Sequence, residues 1–158
     1  MMEVCIVVAD GSRARVFELT HPQQPEFESG PDLREIVSLA APEHAGRDQA
    51  IYSEGITGRN RTVAGGGHDY DEHRDAHDDE VERQFARDIL TDLASHGADR
   101  NILCANPRML GYLRDARTHF AGLEVTEVQK DLTALAPRRI HEQLANEGLL
   151  PARKPPGA

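Results

Sequence analysis

Val4-Cys5-Ile6-Val7-Val8-Ala9 is an unbroken apolar run that stops at Asp10-Gly11-Ser12. A strand with one solvated face alternates in polarity, whereas a continuous run rich in β-branched residues reads as a central strand buried on both faces. A sheet built around such a strand needs cover on each side, so the rest of the chain must supply helices as well as partner strands. Asp10-Gly11-Ser12 is a turn signal, because Asp and Gly tolerate the positive φ that a tight hairpin needs. Arg13-Ala14-Arg15-Val16-Phe17-Glu18-Leu19 then alternates loosely and returns as a second strand. Pro22 and Pro25 break it, since proline cannot donate to a ladder. Leu33-Arg34-Glu35-Ile36-Val37-Ser38-Leu39 is half-polar and predicts a third strand nearer the edge, completing a meander.

The second half changes period. Val81, Phe85, Ile89 and Leu93 recur every fourth residue, which predicts an amphipathic helix with Asp78 or Asp79 as N-cap and Gly97 just past its end. Asn101-Ile102-Leu103-Cys104-Ala105 is a short buried strand. Asn106 caps and Pro107 opens a helix carrying Leu110, Leu113, Ala116 and Phe120. Leu123-Glu124-Val125-Thr126-Glu127-Val128 alternates as a last strand, and Pro137 begins a last helix with Ile140 and Leu144 inward and Gly148 at its end. The order βββ-α-β-α-β-α predicts a single α/β domain over residues 1–150. Its mixed five-stranded sheet has an N-terminal antiparallel meander, two added parallel strands and helices on its faces. Residues 151–158 are Pro-rich and basic and are expected to form a loose tail.

Between the halves, residues 41–76 show no sustained period and read as a long mobile loop, of the kind that is usually functional or disordered. The loop contains Arg47, Arg59 and Arg61 and the glycine run Gly65, Gly66, Gly67, which leads into His68-Asp69-Tyr70-Asp71-Glu72-His73. Residues 68–80 hold seven carboxylates against one arginine, a local charge of −6 in a chain whose net charge is −9. That balance argues against a wide non-specific nucleic-acid surface, since phosphate neutralisation needs clustered Lys and Arg; it leaves room for a local basic patch. Cys5 and Cys104 sit inside apolar runs and read as reduced core thiols. No basic n-region precedes an apolar run, and no window approaches the ~18 apolar residues of a membrane span, so a cytoplasmic location is expected.

Two motifs carry a resemblance. Ala9-Asp10-Gly11-Ser12-Arg13-Ala14-Arg15-Val16-Phe17-Glu18 looks like the opening signature of the bacterial host attachment protein family, and Asn106-Pro107-Arg108-Met109-Leu110-Gly111-Tyr112-Leu113-Arg114 resembles its second. The acidic, His-containing approach to Phe85-Ala86-Arg87 and the Lys130-Asp131-Leu132-Thr133 run match in kind. More distantly, the layout is similar to the middle domain of archaeo-eukaryotic class-one release factors, and also to a ribonuclease H-like arrangement. The release-factor domain carries a Gly-Gly-Gln loop leading into a helix and promotes peptidyl-tRNA hydrolysis. The corresponding position here would be Gly66-Gly67-His68, without the glutamine.

Several residues stand out as site candidates. The glycine run allows close backbone approach to RNA or another partner, with His68 as a polar tip group. Arg13 and Arg15 lie two apart on one strand face and could meet phosphate together with Arg47, Arg59 or Arg61. Asp10, at a strand end, invites comparison with a nuclease carboxylate. Such enzymes need several acids converging on magnesium, and the later strands end in Ala105 and Val128. Asp69, His73, His77 and Glu80 could share a helix face as a divalent metal site, although nothing else in the sequence supplies the further ligands and second shell zinc needs, and a solvated acidic helix start is the preferred reading. There is no Walker-type loop, dinucleotide fingerprint or Ser-His-Asp order, and no cofactor is expected. The leading expectation is a non-enzymatic RNA- or ribosome-associated binding module acting through the Gly-rich loop. One alternative is a hydrolase, of peptidyl-tRNA or as a metal-dependent nuclease, using the loop His and Asp residues. The other is a protein-interaction factor acting indirectly on surface attachment. Nothing in the pattern selects an oligomeric state.

Overall fold

The computed structural model describes residues 2–42 and 68–158, with the backbone alone for residues 68–76. Its elements are β1 (Val4–Ala9), β2 (Arg13–Thr20), β3 (Asp32–Ala40), α1 (His68–His96), β4 (Arg100–Ala105), α2 (Pro107–Ala116), a 3₁₀ turn (Arg117–His119), β5 (Val125–Val128) and α3 (Pro137–Asn146). They form the single α/β domain and mixed five-stranded sheet expected from the sequence, ordered β3-β2-β1-β4-β5. β1 and β2 pair antiparallel, as do β2 and β3; β4 lies parallel to β1, and β5 parallel to β4.

Every residue of β1 is buried, and the two side-chain sets of this one strand belong to different cores. Cys5, Val7 and Ala9 join Ala14, Val16, Leu103 and Ala105 beneath α1 and α2. Those helices contribute Phe85, Ala86, Ile89, Leu90 and Leu93, and then Met109, Leu110 and Leu113. Val4, Ile6 and Val8 point to the other face, with Phe17, Leu19, Leu33, Ile102 and Cys104, under Ile140 and Leu144 of α3. Each such large side chain contributes about 1.5–3 kcal/mol of transfer free energy, so two layers of cover explain why β1 carries no polar position. Asn106 caps α2 through its side chain, which accepts from Met109 N, with Pro107 in the first turn. Gly97 and Gly148 take positive φ just beyond α1 and α3, as the C-terminal glycine rule requires.

Three expectations change. The helix expected to start at Asp78 or Asp79 starts at His68, so residues 68–76 are helical rather than part of the 41–76 loop. The acids there suit the positive end of the helix dipole, and the lack of an apolar stripe hid this stretch from the periodicity. Residues 43–67 lie outside those described. The hairpin at Asp10-Gly11-Ser12 needs no positive φ, because Gly11 is not among the residues that take one. Asp10 closes it instead, by accepting from the backbone N–H groups of Ser12 at 2.8 Å and Arg13 at 2.9 Å. The tail expected to be loose is hydrogen-bonded: Lys154 and Gly30 exchange backbone bonds of 2.8 and 3.0 Å, and Gly157 N–H donates to the Pro25 carbonyl at 2.9 Å. Among the described residues no helix is long and apolar enough to cross a membrane.

Candidate functional site

The parallel strands β1, β4 and β5 deliver the residues that follow them to one rim of the sheet. Two side-chain networks occupy that rim. The first centres on Asp10 and Thr133. One Asp10 oxygen accepts from Ser12 N, Ser12 Oγ and Arg13 N; the other faces the Thr133 hydroxyl at 3.3 Å. Thr133 has one hydroxyl proton, and its shorter contact, 2.6 Å to Asp131 Oδ1, is the better claim on it. Asp131 also accepts from Thr133 N at 3.1 Å. Burial pushes the Asp10 carboxyl up, but the hydrogen bonds from Ser12 and Arg13 N–H and from the Ser12 hydroxyl outweigh it and hold the pKa below the usual value.

Arg13 and Arg15 do share a strand face, and both turn inward to this network. The Thr133 carbonyl accepts from Arg15 at 3.0 Å and from Arg13 at 3.3 Å, while Arg15 also donates to Leu135 O at 2.6 Å. Arg15 further donates to Glu35 at 2.5 Å and lies over the Phe17 ring, 5.1 Å from its centroid. The Arg15 fork is thus engaged within the fold, and Arg13 keeps half of its side chain exposed.

The second network joins the same turn to α1 and α2. A β-carbon on Gly11 would overlap Glu82 Oε1, so the hairpin backbone lies directly against this α1 carboxylate. Glu82 Oε2 accepts from Arg108 Nε at 2.8 Å, and Arg108 also grips Asp79. Tyr112, one helical turn beyond Arg108, donates its hydroxyl to Asp79 at 3.1 Å, and Arg83 stacks 5.4 Å from the Tyr112 ring centroid. Burial and the bond to Asp79 push the Tyr112 phenol above its usual pKa, which keeps it a donor. Arg114, on the far side of α2, pairs with Glu127 of β5, and Arg117 reaches the same carboxylate at 3.2 Å.

Of the sequence candidates, Asp10, Arg13 and Arg15 converge on the rim. Arg47, Arg59, Arg61, Gly65, Gly66 and Gly67 lie outside the described residues. His68, Asp69 and His73 are on the first turns of α1, with their side chains outside the description. Glu80 pairs with Arg83 at 3.6 Å, and His77 is exposed on the same helix. Among the described residues no three His, Cys, Asp or Glu side chains converge as a metal centre needs. Arg108 and Arg114, which the sequence marked only as members of the second motif, both have carboxylate partners. The signal was available: Arg108 and Tyr112 stand four apart on one helix, as Asp79 and Glu82 stand three apart on another, and complementary i, i+3 or i, i+4 pairs mark facing surfaces.

Fold and rim together define an α/β domain in which two motif-bearing turns are tied to the base of a long connection between β3 and α1. The sequence pattern of the family described as "protein required for attachment to host cells" matches residues 5–144, and the chain belongs to that family. No curated protein matches the chain.

Proposed function

We propose that this chain is a non-enzymatic binding module that engages RNA or a ribosome-associated partner through the connection between β3 and α1. The observation that carries this reading is how both ends of the connection are anchored. At its start, buried Ala41 donates its N–H to Ser12 O at 2.9 Å. At its end, α1 is clamped by Arg108 and Tyr112 at Asp79 and Glu82, the latter against Gly11. Helix α1 begins 11 residues before Asp79, roughly 16 Å along its axis, so the clamp grips the helix well inside its N-terminal end. The release-factor-like layout and the arginines Arg47, Arg59 and Arg61 favour RNA as the partner, with the acidic run on α1 confining phosphate contact to the connection itself.

A hydrolase using Asp10 draws less support, because the hydrogen bonds of its own turn hold that carboxyl's pKa below the usual value and make it a weaker base. The test is co-sedimentation with ribosomes and tRNA binding at low salt, with the Arg59→Ala/Arg61→Ala variant beside the parent protein. Binding that falls steeply with salt and about tenfold or more in the variant is expected. Absence of binding to both ribosomes and tRNA defeats the reading, and a nuclease-resistant pull-down from lysate would transfer it to a protein partner.

A further inference from the structure

The face of the molecule covered by α3 carries a cleft of about 380 Å³, near the lower end of the range for small-ligand sites. Arg138, His141, Glu142 and Asn146 line it from α3, and Arg153, Lys154 and Ser29 close it from the other side. Its walls are tied together. Lys154 and Gly30 exchange two backbone hydrogen bonds, Arg153 donates to Asp32 at 2.7 Å, and His141 Nε2 lies 2.8 Å from the Pro151 carbonyl. A carbonyl can only accept, so Nε2 carries the proton, and Nδ1 has no partner among the described residues. His141 is 2% exposed yet lines the cleft.

The charges select the ligand. Arg153 is committed to Asp32, whereas Arg138 and Lys154 have no carboxylate partner among the described residues, even though Glu142 stands one helical turn from Arg138. Two uncommitted cations beside a fixed cleft suit a doubly charged anion, and the guanidinium fork suits phosphate oxygens in particular. Glu142, Asn146, Ser29 and His141 add acceptors and donors fitting the hydroxyls of a sugar. We propose that this cleft binds a small phosphate monoester of sugar-phosphate or mononucleotide size, its phosphate held by Arg138 and Lys154. The proposal uses none of the residues assigned to the β3–α1 connection and is independent of the function proposed above.

The test is calorimetric titration of the full chain with ribose 5-phosphate, adenosine 5′-monophosphate, ribose and a 5′-phosphorylated RNA hexamer, with amide-shift mapping by NMR. Expected are saturable binding of at least one phosphorylated probe, ribose weaker by about tenfold or more, and a comparable loss in both Arg138→Gln and Lys154→Gln. Shifts should centre on Ser29, His141 and Asn146. Both substitutions alter exposed side chains, and an unchanged melting curve confirms that each variant is folded. Preference for the hexamer over the free monoesters would assign the phosphate to an RNA end while keeping the site. Absence of binding by every phosphorylated probe, equal binding of ribose, or binding unaffected in both variants overturns the proposal. Loss of binding in the Arg59→Ala/Arg61→Ala variant, with both glutamine variants intact, overturns it too, by moving the phosphate contact to the connection.

Discussion

A β-carbon on Gly11 would overlap Glu82 Oε1, and Glu82 cannot simply swing aside, because its other oxygen is held by Arg108 at 2.8 Å. Gly11→Ala should therefore cost about 1 kcal/mol, at the low end for overpacking because a side-chain tip rather than backbone gives way. In a Glu82→Ala background the same substitution should be nearly neutral, and denaturant melts of the four-member cycle read the coupling. Additive costs would place the strain elsewhere. Here the local rule failed instructively: a Gly in a hairpin turn suggests positive φ, while the real constraint is a carboxylate from a helix far along the chain, which no turn pattern contains. Asp10, beside it, permits a pH test. Its folded pKa lies below the usual value, so the unfolded chain binds the proton more tightly. The stabilisation is complete above the unfolded pKa of about 3.9 and is lost as pH falls through the folded value. Asp10→Asn keeps an acceptor and removes the titration. The stability gap between parent and variant, on the order of 1 kcal/mol near neutrality, should close below about pH 4 in urea melts. A gap that widens with acid would contradict the assignment.

The elements themselves were largely legible, because the period of apolar residues changes from two to nearly four wherever strand gives way to helix. The antiparallel meander and the two added parallel strands followed from chain order, and Asn106-Pro107, Gly97 and Gly148 marked helix ends by the chemistry of their caps. What escaped was the first third of α1. Residues 68–76 have no apolar stripe, and the anchoring of α1 comes from Arg108 and Tyr112 on α2, a tertiary cause that periodicity does not see. This clamp is exposed, with Arg108 57% accessible, so Arg108→Ala should cost less than about 1 kcal/mol of global stability. Its effect should instead be local. Amide exchange at residues 78–84 should quicken several-fold, while Ile89, Leu90 and Leu93, buried against the sheet, keep their protection. Uniform acceleration along α1 would mean that the clamp holds the whole helix rather than the stretch around Asp79 and Glu82.

At the scale of the molecule, the question is whether the two helical layers can come apart separately. β1 and β4 are neighbouring strands, and each sends alternate side chains into both cores. Removing either layer would expose strands whose other face is still packed, so the layers are expected to be lost together. The two cysteines report on this directly. Cys5 lies in the core under α1 and α2, and Cys104 in the core under α3. Burial pushes both thiols up to about 12, with the Asp92 and Glu18 charges adding to the effect at Cys5 and Glu147 at Cys104. The thiolate is the reactive form, so neither should react with an alkylating reagent at pH 8 while the fold is closed. Peptide mapping by mass spectrometry of partially labelled protein should find both sites modified at one rate, equal to the rate of global unfolding. Faster labelling of Cys104 would show that α3 opens alone and would make the cleft beside it a mobile feature. Faster labelling of Cys5 would show the same for the layer that anchors the β3–α1 connection.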